Sequence, residues 1–385
     1  MLTSSIYLKA FKSHKSKKKI KKELKLILSN KDDLIKSLSQ KYKDKYKIYK
    51  IKKIVKKNDI RLIGMGGSVL GSKAIYSFLK NRIKRKFFFI DNLNSSKFPT
   101  NQKKITNLII SKSGNTLETI TNSSILINKT NKNFFITENK PSYLFKLAVK
   151  LKSEIVEHNN FIGGRYSVLS EVGMLPAELM GLNPKKFRQF DNLIRNTNFL
   201  NQLIDNTNSI LFFSKKKFNS IILNYDKKSH YLFQWYQQLV AESLGKKGKG
   251  ILPIISEMPK DNHSVMQFYL DGFKNNFFTF FSCNEKISNK VEKKKLLKSF
   301  DYLGNYNVNQ IILKQKKATE VVFKNKKIPF RSFEVDKRNE KTLGELFCYF
   351  ILETILLGRA LNVNPFDQPS VELIKKETKK QFYQK

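Results

Sequence analysis

Two hydrophobic patterns alternate along the chain from about residue 59 onward. Short apolar runs, typical of buried strands, lie at residues 61–65, 86–90, 107–111 and 133–137. Stretches with apolar residues at helical spacing lie between them, for example at residues 69–80. Because strands that alternate with helices form parallel sheets covered by helices, this pattern predicts an α/β fold. In such folds, ligands bind at the carboxyl ends of the strands.

A second series of strands and helices follows the first, after helical patterns over residues 166–180 and 184–204. Its predicted elements are strands at 220–224, 250–255 and 277–282 and helices at 230–244, 340–361 and 371–382. We therefore predict two similar α/β domains, each a mostly parallel sheet flanked by helices, with a helical N-terminal arm and a C-terminal helix. The predicted division is a basic arm at 1–50, domains at 51–200 and 201–360, and a helical segment at 361–385.

The charge balance is strongly basic. The 385 residues include 74 lysines and arginines against 31 acidic residues, which gives a formal net charge of +43. This charge suggests nucleic-acid binding. However, the lysines are spread through every segment, and asparagine, isoleucine and phenylalanine, which also have A/T-rich codons, are abundant. Compositional drift therefore explains the charge at least as well, and we do not expect a nucleic-acid partner.

Cysteines and histidines give no sign of a metal site. Cys283 and Cys348 are far apart, and the four histidines form no pair at metal-ligand spacing. We expect free thiols and no metal. No apolar stretch reaches membrane-spanning length, and residues 1–22 lack the long apolar core of a secretion signal. The sequence therefore predicts a cytoplasmic protein without membrane contact.

Hydroxyl groups are concentrated where the predicted strand at 107–111 ends. Ser111, Ser113 and Thr116 lie in a short loop that also holds Gly114, and a helical pattern follows. Unpaired N–H groups and the helix dipole make such a junction an anion site. Helix N-capping by serine or threonine is common and is the slightly better interpretation of this loop alone.

A glycine-rich segment, Gly64-Met65-Gly66-Gly67-Ser68, follows the first predicted strand. It lacks the third glycine and the acidic ribose partner of a dinucleotide site, and the chain has no GxxxxGK[ST] sequence. Two loops able to bind phosphate without a nucleotide signature favour a small phosphorylated metabolite as ligand.

Further polar residues are candidates for chemistry. Arg165 follows two glycines and could bind an oxyanion or lie on the surface. On the predicted helix at 230–244, Gln238 and Glu242 share a face; Glu242 could act as a general base or simply pair with Lys246. His263 lies in a polar, loop-like segment and suits acid–base work, although a capping or core role is more usual.

Taken in order, these segments resemble the glucose-6-phosphate isomerase (phosphoglucose isomerase) family. The matching segments are GMGGSVLG at 64–71, SKSGNTLET at 111–119, GGRYSVLS at 163–170, QQLVAESLGK at 237–246, DNHSVMQ at 261–267 and FDQPSVELIK at 366–375. The resemblance implies two sugar-isomerase (SIS) domains and no cofactor. It also implies reversible aldose–ketose isomerisation of glucose 6-phosphate and fructose 6-phosphate by ring opening and proton transfer through a cis-enediolate.

The resemblance also implies roles for individual residues. The residues that would bind the sugar phosphate are Gly67, Ser68, Ser111, Ser113 and Thr116, with the amides around Lys112. Glu242 would move a proton between C1 and C2, and Arg165 would stabilise the enediolate. Ring opening would fall to His263 and Lys375, and the substrate's hydrogen-bonding neighbours would be Gln238 and Gln368. In this family the histidine comes from the partner subunit, which implies a homodimer.

Several positions depart from the family pattern. They are Glu171 at a position that is usually small, Pro369-Ser370 before Val371, Leu252 in place of a frequent threonine, and Gly114-Asn115 in the phosphate loop. These departures bear on loop conformation and leave the reacting groups unchanged. Two competing functions remain open: an isomerase for mannose or amino-sugar phosphates, and a sugar-phosphate sensor that binds nucleic acid.

Overall fold

The computed structural model describes residues 1–11, 17–29, 32–96, 104–128, 131–285 and 287–383. The described residues form two five-stranded sheets with helices packed around them. The first sheet has the order β3-β2-β4-β5-β6 and is parallel throughout. Its strands are β2 (Asp59–Gly64), β3 (Phe87–Ile90), β4 (Ile105–Ile110), β5 (Lys132–Thr137) and β6 (Glu154–Glu157). The α/β prediction with parallel sheets is confirmed.

The second sheet has the order β1-β10-β9-β7-β8. Its strands are β1 (Ile6–Lys9), β7 (Asn219–Asn224), β8 (Leu252–Glu257), β9 (Asn276–Cys283) and β10 (Phe330–Val335). Four strands are parallel, with Leu223 opposite Phe280, and β1 pairs antiparallel with β10. The N-terminal segment was predicted to be helical, and β1 was missed. Four residues with alternating burial are too few to reveal a strand whose hydrogen bonds go to residues more than 300 positions away.

Fifteen α-helices lie in the described part of the chain. They are α1 (Lys18–Ser29), α2 (Asp33–Ser37), α3 (Ile48–Val55), α4 (Leu70–Phe78), α5 (Leu117–Leu126), α6 (Tyr143–Lys150), α7 (Glu171–Leu179), α8 (Pro184–Phe187), α9 (Phe190–Leu193), α10 (Thr197–Phe213), α11 (His230–Leu244), α12 (Met266–Asp271), α13 (Val308–Asn325), α14 (Glu340–Ala360) and α15 (Pro369–Gln381). Three short 3-10 helices matter for the site: Gly66–Ser68, Gly164–Leu169 and Lys260–His263.

The long helical pattern predicted at 166–180 is interrupted in the structure. A 3-10 helix ends at Leu169, Ser170 is extended, and α7 starts at Glu171. The pattern at 184–204 likewise divides into α8, α9 and the first part of α10. Apolar spacing does not distinguish one helix from two that meet at a break, because both bury residues at similar intervals.

Helix α14 lies at the centre of the molecule. Nearly all of its 21 residues are buried, which is typical of a helix that is apolar on every side. It packs against α8, α10 and α11, and one hydrophobic cluster continues through both halves of the chain. The buried carboxylate of Glu353 in α14 pairs with Arg331 of β10. Since both halves share this core, the division at residues 51, 201 and 361 stays a prediction.

Helix α11 connects this core to the edge of the first sheet. It packs against α4, α14 and β8, and its residues also contact the 3-10 helices 66–68 and 164–169. The loops after β2 and β4 leave the same edge of the sheet, because these neighbouring strands are parallel. This edge is where the candidate site lies. No helix in the described ranges is long and apolar enough to cross a membrane.

Candidate active site

The loop between β4 and α5 holds the predicted phosphate-binding hydroxyls. The Oγ of Ser111 and the Oγ1 of Thr116 lie 3.0 Å apart, and the amide of Gly114 donates to Ser111 Oγ at 3.2 Å. The amide of Asn115 donates to Ser113 Oγ at 3.2 Å. Thr116 is the N-cap of α5, yet its side chain forms no capping hydrogen bond. The capping interpretation therefore fails for Thr116, and the first amides of α5 have no side-chain cap.

The Gly114-Asn115 departure has a structural reason. Gly114 has a φ of +66°, and a Cβ there would lie 2.0 Å from the hydroxyl of Ser142, so a side chain does not fit. Asn115 Oδ1 accepts a hydrogen bond of 2.9 Å from the amide of Tyr143. The start of α6 thus packs against Gly114 and holds Asn115 by a hydrogen bond.

The side chain of Lys112 binds two residues outside the loop. Its Nζ donates to the carbonyl of Asn160 at 2.8 Å and lies 3.7 Å from a carboxylate oxygen of Glu138. Burial lowers the pKa of Lys112. Its side chain is therefore committed to structural partners, and the phosphate role predicted for this residue rests on the backbone amides.

The glycine-rich segment after β2 meets two other elements at close range. A Cβ on Gly67 would lie 2.2 Å from the carbonyl carbon of Gly164, and one on Gly66 would lie 2.7 Å from Nε2 of Gln238. Gly66 also has a φ of +51°. These glycines let the loop that carries Ser68 approach both Arg165's helix and α11.

Arg165 is buried, with only 3% of its side chain exposed. Its Nε donates to Ser243 Oγ at 2.8 Å, and its Nη1 donates to Gln368 Oε1 at 2.7 Å. Its Nη2 donates to the carbonyls of Pro365 at 2.7 Å and Asp367 at 3.0 Å. The alternative of a surface arginine is therefore wrong: every guanidinium nitrogen is held.

Glu242 receives two donors. Nε2 of Gln238, one helical turn earlier on α11, donates to Oε1 at 2.9 Å, and Nη1 of Arg165 donates to Oε2 at 3.4 Å. About a quarter of the Glu242 side chain stays exposed (28%). Lys246 pairs with Asp367 at 2.7 Å and not with Glu242. The alternative that Glu242 simply pairs with Lys246 is therefore wrong. The structure shows a partly exposed Glu242 carboxylate beside the buried guanidinium of Arg165.

The structure does not bring the two predicted ring-opening groups to this pair within one chain. His263 is exposed at the end of its 3-10 helix and has no hydrogen bond to Arg165 or Glu242 among the described residues. Lys375 lies on α15, is 58% exposed and pairs with Glu372 at 2.6 Å. Helix α15 begins at Pro369, directly after Gln368 of the site, but has no buried residue.

Two residues of the site were missed by sequence reasoning. Ser243 is fully buried, and its hydroxyl lies 2.8 Å from the hydroxyl of Tyr166, which also donates to the carbonyl of Pro365 at 3.1 Å. Both residues lie within matched segments, next to Glu242 and Arg165. Neither residue type carries a signal for this role, because a buried serine and a buried tyrosine are common in any core.

Glu171, the departure beside the Arg165 segment, is fully buried at the start of α7. Both of its oxygens accept from the hydroxyl of Tyr42 at 3.0 Å, and one accepts from the amide of Lys45 at 3.1 Å. Burial raises the pKa of Glu171. Glu171, which is larger than the residue usual at this position, therefore links the segment at residues 42–45 to α7 by hydrogen bonds.

Comparison with known proteins gives the family of this chain. A model of the family described as phosphoglucose isomerase matches residues 14–251, more than half of the chain. The chain belongs to the phosphoglucose isomerase family. Its curated relatives include glucose-6-phosphate isomerases from Methanocaldococcus jannaschii, 33% identical over 83% of this chain and 82% of that protein, and from Mycoplasmopsis pulmonis, 33% identical over 82% and 80%.

Solved structures extend the likeness of this phosphoglucose isomerase family member to the whole fold. A hypothetical protein from Thermus thermophilus has a TM-score of 0.82 at 21% identity, over 95% of this chain and 94% of that one. A glucose-6-phosphate isomerase from Chlamydia trachomatis has a TM-score of 0.70 at 16% identity, over 95% and 83%. In the part of the chain that the structure describes, no group of histidine, cysteine, aspartate and glutamate side chains could hold a metal ion.

Proposed function

We propose that this protein interconverts glucose 6-phosphate and fructose 6-phosphate. The observation that carries the proposal is the pairing of Glu242 with Arg165: a partly exposed carboxylate lies 3.4 Å from a buried, fully held guanidinium. This pair adjoins two loops able to bind phosphate at one edge of the first sheet. Aldose–ketose exchange needs a base next to an acidic C–H and a cation for the enediolate oxygen.

In the proposed reaction, the loop from Ser111 to Thr116 and the hydroxyl of Ser68 bind the phosphate. Glu242 takes the proton from C2 of the open-chain aldose, and the C–H electron pair forms a C1–C2 double bond while the carbonyl oxygen becomes the enediolate oxygen. Arg165 stabilises that oxygen. The proton of the C2 hydroxyl passes to the C1 oxygen, which leaves the negative charge on the C2 oxygen. The carboxyl group of Glu242 then returns its proton to C1, the electron pair of the C1–C2 double bond forms the new C1–H bond, and the C2 oxygen becomes the new carbonyl. Gln238 holds one oxygen of Glu242 in place.

We further propose that a second copy of the chain completes the site. His263 and Lys375, the predicted ring-opening groups, are exposed and lack hydrogen bonds to the Arg165–Glu242 pair in the described part of one chain. Helix α15 leaves the apolar side chains of Leu373 and Ile374 about 70% exposed (67% and 70%). Exposed apolar residues on a helix without packed partners are typical of an interface. A homodimer in which the partner donates His263 accounts for both features.

A mixing experiment tests the shared site. Glu242→Gln and His263→Ala variants should each be inactive alone. When they are unfolded and refolded together, each heterodimer has one site with both native groups, so about a quarter of wild-type activity should return. If all catalytic groups came from one chain, the mixture would stay inactive. Sedimentation of the wild type checks the dimer independently.

Activity itself is tested with purified protein and fructose 6-phosphate. Formation of glucose 6-phosphate, without added metal, is the expected result, and mannose 6-phosphate in competition measures the specificity for the C2 configuration. A folded dimer that does not turn over fructose 6-phosphate would overturn the proposal. We also place this reaction in the cytoplasm, because charged sugar phosphates do not cross apolar bilayers unaided.

A further inference from the structure

Lys246 follows the C-terminal end of α11, one turn after Glu242. Only 12% of its side chain is exposed, and its Nζ lies 2.7 Å from Oδ1 of Asp367. The same ammonium group donates to the carbonyl of Asn364. The hydrogen bond from Lys246 lowers the pKa of Asp367, so this carboxylate is ionised at neutral pH. An ion pair therefore joins α11 to the connection between α14 and α15.

The last part of that connection, the loop of residues 364–368, is closed by its own hydrogen bonds. Asn364 Nδ2 donates to Oδ2 of Asp367 at 3.1 Å, and Asn364 Oδ1 accepts from the amide of Phe366 at 3.0 Å. Each oxygen of Asp367 thus has its own donor, one from within the loop and one from α11. The loop has a defined shape, and Lys246 fixes that shape relative to Glu242.

The same loop supplies most of the acceptors of Arg165. The carbonyls of Pro365 and Asp367 accept from Nη2, and Gln368 Oε1 accepts from Nη1. Displacement of the loop would therefore displace the guanidinium relative to Glu242. The remaining strong acceptor, Ser243 Oγ, lies on α11 itself.

We propose that Lys246 is a positioning residue for Arg165: through Asp367 it fixes the loop 364–368, and the loop fixes the guanidinium at its distance from Glu242. The inference rests on the isomerase function proposed above. Lys246 contacts neither Arg165 nor Glu242 through a hydrogen bond in the described residues, so its effect passes through the loop. Because misplacement of a catalytic group by about 1 Å can cost about 100-fold in rate, the loss of this ion pair should reduce kcat.

Lys249 offers a matched control. It lies in the same turn as Lys246, which is closed by a backbone bridge between the two, and its Nζ donates to the carbonyl of Leu361 at 3.0 Å. Like Lys246, it tethers the chain after α14, but it does so before the loop that Arg165 contacts. A general effect of losing a lysine from this turn should therefore appear in both variants.

The experiment compares Lys246→Met, Lys246→Arg and Lys249→Met in the full-length enzyme. For Lys246→Met, kcat should fall about 10- to 100-fold while KM changes much less, because Arg165 acts mainly on the enediolate. Lys246→Arg should recover most of kcat, since it keeps the cation and its donors, and Lys249→Met should match the wild type. Equal kcat values for the two methionine variants would overturn the inference.

A double-mutant cycle isolates the ion pair. Asp367→Asn keeps the backbone carbonyl that Arg165 uses and removes only the charge, so it also serves if Lys246→Met does not fold. Asp367→Asn should lower kcat as Lys246→Met does, and the double variant should lose no more than the worse single one. If the double variant instead loses the product of the two single fold-losses in kcat, Lys246 and Asp367 do not act through the same ion pair, and the inference is refuted. An inactive wild type would overturn the proposed function instead, which separates the two failures.

Discussion

Replacing Glu242 by glutamine should remove the proposed base and leave the structure of the site intact. In the folded protein, Oε1 accepts from Gln238 and Oε2 accepts from Arg165. A glutamine in this place keeps one acceptor for Arg165 and turns its new amide toward Gln238. Oε1 of Gln238 is buried without a hydrogen-bond partner in the described residues. The side-chain amide of Gln238 can therefore rotate so that this oxygen accepts a hydrogen bond from the new amide at residue 242.

The magnitudes differ for rate and stability. Loss of a general base typically costs about 10²- to 10⁴-fold in rate, which corresponds to about 3–5 kcal/mol in activation free energy. In the folded state, one long hydrogen bond of 3.4 Å exchanges its charged acceptor for a neutral one, and Arg165 keeps four other acceptors. We therefore expect the free energy of unfolding to change by no more than about 1 kcal/mol.

The assay follows three quantities on the same preparation: turnover of fructose 6-phosphate, exchange of the substrate C–H proton with deuterated water, and substrate binding by calorimetry. We expect the first two to fall together and binding to persist. Glu292→Gln is a suitable control, because Glu292 pairs with Lys295 on the surface and is 65% exposed. Proton exchange at the wild-type rate in Glu242→Gln would refute the assignment of the base, and loss of binding alone would point to a substrate-positioning role.

Two further changes test the packing of buried groups. Gly67→Ala should destabilise the protein by about 1–3 kcal/mol and lower its activity, because the added Cβ would overlap the backbone of the neighbouring 3-10 helix. Gly163→Ala is the control: a Cβ there has its nearest atom at 3.7 Å, so urea unfolding should be almost unchanged, and equal losses of stability in the two variants would contradict the close approach at Gly67. His158 is fully buried, and burial lowers the pKa of its ring to about 4. Because the unfolded chain then binds the proton more tightly, stability should fall on the order of 2 kcal/mol as the pH drops from about 6.5 to 4, and unfolding curves of His158→Gln should lack this decline if the histidine causes it.

Much of the local architecture follows from residues close together in sequence. The strand that ends at Ile110, the hydroxyl-rich loop after it and the helix from Leu117 form one continuous pattern of apolar and polar residues. The same holds for the segment around Gly66 and for α11, whose 3.6-residue spacing puts Gln238 and Glu242 on one face. Such features depend on backbone geometry within a few residues, and this is why the predicted fold class and both loops were recoverable.

Breaks in helical segments and the pairing of strands were harder to predict. The end of the 3-10 helix at Leu169 interrupts what the spacing suggested was one helix. Strand β1 joins the second sheet only because β10 offers an unpaired edge at the other end of the chain. For β1, local propensity is weak and hydrogen bonds to distant residues decide the outcome. At the break, the carbonyl of Leu169 accepts from the side chain of Arg188, 19 positions later in the chain.

By itself, the sequence determined the α/β class, the positions of the two loops at the ends of strands, and the set of residue types that aldose–ketose exchange requires. Only the tertiary structure decided which of those residues lie close together. It paired Lys246 with Asp367, left Glu242 partly open, and buried Arg165 against acceptors 78 and 200 positions away in the chain. The physical reason is that a charged side chain takes whichever partner the folded backbone brings within hydrogen-bond distance, and sequence spacing constrains only the partners within a turn or two.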